Sequence, residues 1–322
     1  MNYYLFILIN HNNKNMIYLN SRRINMDKEK AKILENRKGF IAALDQSGGS
    51  SGKTLALYGI DKNRYENDSE MFDLIHEMRK RIMTSKSFQS KKIIGVILFE
   101  ETMNRKIEDE LTADYLWNQK QIISFLKIDK GLEEIKDGVQ IMKPIPNFVE
   151  TLKKAKEHHI FGTKMRSVIY EKNAEGIKEV VEQQFVLAKT IWKNGLVPII
   201  EPEVNIGSPN KKECELLLKT EILKQLELLD EDMKVIFKFT IPTEEDFYQV
   251  FTEHKNVLKV VALSGGYERV DACNRLAKNK NMIASFSRAL LEGLQESQTQ
   301  EEFDKTLANS IDMIYNASVN KD

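Results

Sequence analysis

The chain has little cysteine, little histidine and no excess of charge of either sign. Its 322 residues include two cysteines and five histidines, and 48 basic side chains are balanced by 48 acidic ones. Cys214 and Cys273 are too few for a disulfide framework, which predicts a reducing compartment, the cytoplasm. Zero net charge argues against nucleic acid or an acidic membrane surface as a partner. Any anionic ligand must be bound by local charge.

The sequence also lacks an apolar run of membrane-spanning length at its N terminus. Tyr3 to Ile9 are seven consecutive apolar residues, too few to cross a bilayer. Basic residues before this run and small residues after it, which a secretory signal requires, are missing. We expect residues 1–25 to be an irregular, disordered extension, with the functional chain beginning near Met26. A membrane-associating segment is the alternative.

Eight short apolar runs, rich in β-branched residues, alternate with charged amphipathic segments. The runs cover residues 39–45, 93–100, 123–129, 159–168, 196–204, 235–241, 257–266 and 282–290. Such runs are typical of a parallel sheet covered on both faces, and residues 71–83 and 174–195 have helical periodicity. No run leads into the G-x-G-x-x-G of a dinucleotide-binding unit. We therefore predict an α/β fold, a single (β/α)₈ TIM barrel over residues 26–322, with an open doubly wound sheet as the alternative.

Polar side chains end every one of the eight runs. They are Asp45; Glu100 and Glu101; Lys127 and Asp129; Lys164 and Arg166; Glu201 and Glu203; Lys238; Ser264 to Gly266; and Ser285 with Arg288. Charges inside apolar strands are costly to bury unless they pair or have a task. The C-terminal ends of barrel strands carry the active site, so this pattern predicts a catalytic pocket. Structural ion pairs are the alternative.

Three of these strand ends carry a lysine, namely Lys127, Lys164 and Lys238. Burial and like charge both disfavour the charged form, so we expect depressed pKa values. A neutral amine can attack a ketone and form an iminium. Lys238 lies between Phe237 and Phe239 in an apolar strand, which makes it the preferred nucleophile, and Glu201 is the preferred acid/base.

Two segments are suited to binding anions. Residues 264–266, Ser-Gly-Gly, end the seventh run, and Arg288 follows the eighth, where barrels usually bind phosphate. Residues 45–50, DQSGGS, follow the first run and offer a second cradle. Two anion sites on either side of the lysines predict a substrate phosphorylated at both ends.

Metal-ligand patterns are missing from the predicted pocket. None of the five histidines ends a strand-like run, and no H-x-x-E-H or H-x-H pattern is present. We therefore expect no metal site and no other cofactor.

The strand-end motifs together resemble class I fructose-bisphosphate aldolase in its short bacterial form. The matching segments are GFIAALDQSGGS, GVILFEETM, FLKIDKG, FGTKMRS, VPIIEPEVN, FKFTIPTE, VVALSGGY and ASFSRAL, in order from Lys32 to Lys321. The resemblance implies reversible cleavage of fructose 1,6-bisphosphate to dihydroxyacetone phosphate and glyceraldehyde 3-phosphate, in glycolysis and gluconeogenesis. Related enzymes are often tetramers but short bacterial forms vary, so a homo-oligomer stays open.

The resemblance also implies roles for individual residues. It assigns the Schiff base to Lys238, proton transfer to Glu201 with Glu203 nearby, substrate contact to Asp45 and assistance to Lys164 and Lys127. The implied phosphate ligands are Ser47 and Ser50 at one end, and Ser264, Gly265, Ser285 and Arg288 at the other.

Two features depart from the family pattern. Ser287 replaces a glycine that many members have before the phosphate-binding arginine, and the sequence ends in IYNASVNKD without the tyrosine tail of the animal enzymes. Two other functions stay open at this point. One is a single-phosphate substrate, as in transaldolases or deoxyribose-phosphate aldolases, and the other is a non-enzymatic scaffold or adhesin.

Overall fold

The apolar runs form eight parallel strands in a computed structural model that describes residues 26–321. Strands β1 to β8 are Phe40–Leu44, Ile93–Leu98, Ile123–Lys127, Gly162–Ile169, Val197–Val204, Val235–Thr240, Val257–Leu263 and Met282–Ala284. Each strand pairs with the next, and the Ala43 amide donates to the Phe286 carbonyl at 3.2 Å, which joins the eighth strand end to β1. The predicted TIM barrel is confirmed, and the open-sheet alternative is wrong. The expected extension over residues 1–25 lies outside the described residues.

Helices cover the outside of the barrel. Helices α1 to α12 are Lys28–Asn36, Gly49–Leu57, Asp68–Thr84, Glu100–Met103, Thr112–Asn118, Phe148–Glu157, Ala174–Lys193, Lys211–Leu226, Gln249–Thr252, Arg269–Ala277, Arg288–Leu291 and Gln300–Val319. The helices predicted over 71–83 and 174–195 are α3 and α7. Each begins at an asparagine whose side chain accepts a backbone N–H, Asn67 from Glu70 and Asn173 from Gly176, both at 3.0 Å.

Smaller elements decorate the loops. Lys106–Ile107 and Glu110–Leu111 form an antiparallel hairpin, Val139–Gln140 pairs with β4, and Lys62–Arg64 is a 3₁₀ turn. None of the helices within residues 26–321 is long and apolar enough to cross a membrane.

Alternation along β6 separates Lys238 from the phenylalanines beside it. The rings of Phe237 and Phe239 stack 5.3 Å apart, and they pack towards Phe185 of α7 and Tyr248, outside the sheet. Successive side chains of a strand point to opposite faces, so Lys238 points into the barrel. The flanking rings therefore lie on the other face of the strand and do not cover this lysine. Its 3% exposure results from burial in the barrel interior.

The end of the described chain lies at the opposite face of the barrel from the strand ends that carry the charges. The Lys321 amine donates to the carbonyls of Leu276, Met282 and Ala317 at 3.1, 2.6 and 2.7 Å. Met282 is the first residue of β8. Lys321 is therefore held at the base of the barrel, away from the site.

Gly162 sets the spacing between β4 and β5, and its replacement by alanine tests that spacing. A Cβ at this position would lie 2.2 Å from the Val197 carbonyl oxygen. We expect Gly162→Ala to lower the free energy of unfolding by about 1–3 kcal/mol, because buried backbone must shift to relieve the clash. Urea unfolding would measure the loss.

The exposed Gly207, where the nearest side-chain atom would be 3.2 Å away, provides the control. Gly207→Ala should cost far less than Gly162→Ala. Equal unfolding midpoints for the two variants would contradict this account of the strand spacing.

Candidate active site

The C-terminal ends of the strands surround a cavity of about 490 Å³. Its walls include all the residues to which the family resemblance gave a role, namely Asp45, Ser47, Ser50, Lys127, Lys164, Glu201, Glu203, Lys238, Ser264, Gly265, Ser285 and Arg288. The fold therefore brings the predicted residues together in one place.

Glu201 lies between two lysines at the centre of this cavity. Its Oε1 is 3.2 Å from the Lys238 Nζ, and its Oε2 is 2.6 Å from the Lys164 Nζ. Lys164 also donates to Asp45 Oδ2 at 2.9 Å. All four side chains are at least nine-tenths buried. Two cations and two anions thus form a neutral group inside the barrel, which is the condition under which buried charge is tolerated.

Electrostatics in this group oppose the pKa shift that the sequence suggested for Lys164. Burial alone would lower the pKa of Lys164, but the charges of Asp45 and Glu201 outweigh burial and raise it above its ordinary value. Burial alone would raise the pKa of Asp45, but Lys164 and Lys238 hold it well below its usual range. The expectation of a depressed lysine pKa is therefore wrong for Lys164, which stays a cation.

Two further ion pairs lie around the central group. Arg166 Nε is 2.6 Å from Glu203 Oε2. Lys127 Nζ is 2.7 Å from Asp129 Oδ1 and donates to the Asp129 carbonyl at 2.9 Å. Glu203 and Lys127 are thus each neutralised by a partner of their own, and each partner also lines the cavity.

The end of β2 contributes no cavity wall, contrary to the expectation that all eight strand ends converge. Glu100 begins α4 and its carboxylate is 2.7 Å from the Lys130 Nζ, outside the cavity. Glu101 is also absent from the cavity wall. The helix begins directly after Phe99, so it turns both carboxylates out of the strand direction.

The loop after β7 approaches Arg288 closely. Gly265 and Gly266 have φ angles of +63° and +128°, which favour glycine. A Cβ on Gly266 would be 3.6 Å from the Arg288 Nη2. The Ser285 hydroxyl next to them is fully buried and has no hydrogen-bond partner among residues 26–321. Backbone N–H groups, a guanidinium and a spare hydroxyl at one point form a site suited to a phosphate.

The loop after β1 is the second candidate anion site. The Ser50 hydroxyl accepts from the Ser47 amide at 3.0 Å and donates to the Ser47 carbonyl at 2.8 Å. Lys53, one turn further along α2, also lines the cavity. A ligand that accepts from the Ser50 hydroxyl must therefore replace its bond to Ser47.

Comparison with known proteins agrees with this geometry. The family model for class I fructose-bisphosphate aldolase matches residues 25–241. The curated class 1 fructose-bisphosphate aldolase of Clostridium acetobutylicum is 57% identical over 294 residues, which is 91% of this chain and 100% of that protein. The chain belongs to the class I fructose-bisphosphate aldolase family. It is a metal-independent lyase that cleaves fructose 1,6-bisphosphate reversibly through a Schiff base, and the predicted resemblance is confirmed.

Solved structures confirm the barrel. The Plasmodium falciparum fructose-bisphosphate aldolase, determined in complex with TRAP and a small-molecule inhibitor, superposes with a TM-score of 0.70 at 22% identity, covering 91% of this chain and 94% of that one. A Corynebacterium glutamicum protein superposes with a TM-score of 0.52 at 12% identity, covering 90% and 92%. At these identities the likeness shows the fold alone.

Sequence reasoning missed several residues around the aldolase cavity. Lys53 and Gln46 line it, and the fully buried Arg79 of α3 donates to the Gln46 carbonyl. Ser287 also lines it, although the sequence identified this serine only as a departure from the family pattern. Arg79 did leave a signal, because it lies four residues after Ile75 on the apolar face of α3. A charge on the buried stripe of an amphipathic helix indicates a polar partner inside the fold.

The buried pair of Asp45 and Lys164 predicts a pH-independent loss of stability in Asp45→Asn. The native carboxylate keeps its charge well below its ordinary pKa near 3.9, so its contribution is complete above that pH and is lost only as the pH falls through the native pKa. We expect a loss of about 3 kcal/mol at both pH 7 and pH 5, measured by urea unfolding.

Asp312→Asn is the control, since Asp312 pairs with Lys92 at the surface and is 53% exposed. It should change stability by less than about 1 kcal/mol. An Asp45→Asn deficit that disappears between pH 7 and pH 5 would contradict the lowered pKa of Asp45.

Proposed function

We propose that Lys238 is the residue that forms the Schiff base. The observation that carries this assignment is its place in the cavity: its amine is buried beside one carboxylate oxygen of Glu201, at 3.2 Å, and both candidate phosphate loops line the same cavity. Among the described residues, no other carboxylate lies within 4 Å of the Lys238 amine. Lys164, by contrast, is held as a cation by two carboxylates.

The reaction begins with attack of the Lys238 amine on the C2 carbonyl of the ketose. The amine first gives up a proton, and Glu201 is the base within reach. Addition forms a carbinolamine, which takes a proton on its oxygen and loses water to give the iminium. Glu201 is placed to transfer these protons, because it contacts both the nucleophile and the cation of Lys164.

Carbon–carbon cleavage then uses the iminium as the electron sink. A base removes the proton from the C4 hydroxyl, the C3–C4 bond breaks, and its electron pair forms an enamine on the Lys238 nitrogen. The aldehyde leaves, the enamine takes a proton at C3, and water releases the ketone. Asp45 borders the cavity and is assigned to substrate contact, and Lys164 stabilises negative charge as it develops. Glu203, on the same strand as the proton acceptor Glu201, also borders the cavity.

The two loops account for a substrate with two phosphates. Ser264, Gly265, Ser285 and Arg288 bind one phosphate in this proposal, and Ser47, Ser50 and Lys127 bind the other. Such contacts align the ketone with Lys238 before any bond forms, which removes most of the entropic cost of the encounter.

The proposal extends to the setting of the enzyme. The functional unit is a single barrel beginning near residue 26, and it acts in the cytoplasm on a soluble sugar bisphosphate. Balanced charge over the full sequence supports the absence of nucleic-acid and membrane partners. Two reduced, buried cysteines among the described residues support the reducing compartment.

Borohydride reduction in the presence of dihydroxyacetone phosphate tests the nucleophile. The wild-type protein should gain one reduced adduct per chain on the peptide that contains Lys238, detected by mass spectrometry. Lys238→Met should gain none and should lose at least about 10³-fold in kcat, because the covalent route is closed.

Lys224→Met is the matched control, since Lys224 pairs with Glu221 at 2.6 Å on the outside of α8 and is exposed. It should be trapped like the wild type. An adduct on another lysine, or loss of activity on adding a chelator, would overturn the assignment.

Glu201→Gln tests proton transfer. The amide keeps the shape of the side chain but takes no proton, so we expect kcat to fall by about 10²–10⁴-fold. Trapping at Lys238 should become slow rather than vanish, which quenched-flow reduction can follow. Activity within a few-fold of the wild type would assign the protons to another group.

A further inference from the structure

A chain of buried hydrogen bonds runs from α3 to the residue before Arg288. Arg79 is fully buried and donates from Nη2 to the Gln46 carbonyl at 2.5 Å and to Gln46 Oε1 at 3.2 Å. Its Nη1 donates to the Thr102 hydroxyl at 2.7 Å. Gln46 Nε2 in turn donates to the Ser287 Oγ at 2.6 Å. The chain thus links the ends of β1, β2 and β8.

The direction of this chain is fixed by its first member. A guanidinium only donates, so the end of the Gln46 side-chain amide that faces Arg79 must be the oxygen, Oε1. The amide nitrogen then faces away, and its contact with the Ala43 carbonyl at 3.4 Å agrees, because that carbonyl only accepts. Neither end of the Gln46 amide can exchange without placing two donors or two acceptors together.

The bond from Gln46 limits what the Ser287 hydroxyl can do. Its oxygen accepts from Gln46, so its own proton is not used in that bond, and the hydroxyl makes no other hydrogen bond among residues 26–321. Ser287 is half-buried and lines the cavity together with Arg288 and Ser285. When a fixed donor approaches a hydroxyl oxygen, the O–H bond turns away from that donor, and its proton is free for another acceptor.

We propose that Ser287 donates its hydroxyl proton to the substrate phosphate bound at the loops after β7 and β8, and that Arg79 and Gln46 are positioning residues that set the direction of that bond. The inference rests on the proposed phosphate site, since it adds a donor to that site. It gives a role to the serine that stands where the family commonly has glycine.

Steady-state cleavage of fructose 1,6-bisphosphate by Ser287 variants tests the donor. Ser287→Ala removes the proton and should raise KM about tenfold with kcat within about twofold, because a bond to the phosphate is lost in ground state and transition state alike. Ser287→Thr keeps the hydroxyl, and its KM should fall well below that of the alanine variant. Ser87→Ala, half-buried and bonded to the Asp304 carbonyl outside the cavity, should leave KM unchanged.

Gln46→Glu tests the direction of the chain. A carboxylate only accepts, so it takes the Ser287 proton while remaining paired with Arg79, and KM should rise about tenfold. In a Ser287→Ala background the same change should raise KM by less than twofold, because no proton is left to redirect. If the KM increases of the two single variants multiply in the double variant, Gln46 does not act through Ser287, and the proposed chain is wrong.

The outcomes separate this inference from the assignment of the nucleophile. Trapping at Lys238 in the wild type, together with an unchanged KM in Ser287→Ala, would overturn the phosphate donor alone. Failure of trapping at Lys238 would overturn the proposed nucleophile, whatever the KM values. Thermal unfolding midpoints within a few degrees of the wild type would show that the variants keep their fold.

Discussion

The ion pair between Lys164 and Glu201 is the interaction on which the rest of the site depends. It joins neighbouring strands at 2.6 Å, while Lys164 also bonds to Asp45 of the first strand end and Glu201 also contacts Lys238 of β6. Removing either member leaves an uncompensated charge in the barrel interior, a far greater cost than the loss of a surface pair. The cation of Lys164 thus has a structural task, and in the proposed mechanism it also has a chemical one, since it neutralises Glu201, to which we assign proton transfer.

Strand register explains how so many charges reach one layer of the barrel. Lys127 lies opposite Lys164 across β3 and β4, and Arg166 lies opposite Glu201 across β4 and β5. Residues two apart in a strand share a face, so β4 places Lys164 and Arg166, and β5 places Glu201 and Glu203, at their inner ends. Two lysines side by side would repel, but each has its own carboxylate, Asp129 for Lys127 and Asp45 for Lys164. The register therefore brings the charges into one layer, and each lysine is neutralised by a carboxylate that is not its register partner.

The sequence was sufficient for the barrel and for those cavity residues to which the resemblance gave a role. Near-continuous apolar runs reveal parallel strands, and charges at their ends stand out because such runs otherwise exclude them. It was insufficient for properties that depend on which charged groups lie beside each side chain in the fold. Lys164 was expected to have a depressed pKa because the sequence shows three lysines, whereas the fold surrounds it with two carboxylates. Glu100 was expected in the pocket because nothing local shows that α4 begins there.

Arg79 illustrates how the fold compensates the cost of burying a charge. Burial lowers the pKa of this guanidinium, the charge of Asp45 opposes the shift, and no carboxylate forms an ion pair with it among residues 26–321. The Arg79 side chain takes up its position when the chain folds. The Gln46 amide and the loop after β1 are therefore oriented before a ligand binds. Polar groups fixed in advance need no reorganisation when charge develops nearby, which is the general advantage of a preorganised site. The burial of Arg79 therefore costs stability but fixes the orientation of Gln46 and Ser287 beside the proposed phosphate sites.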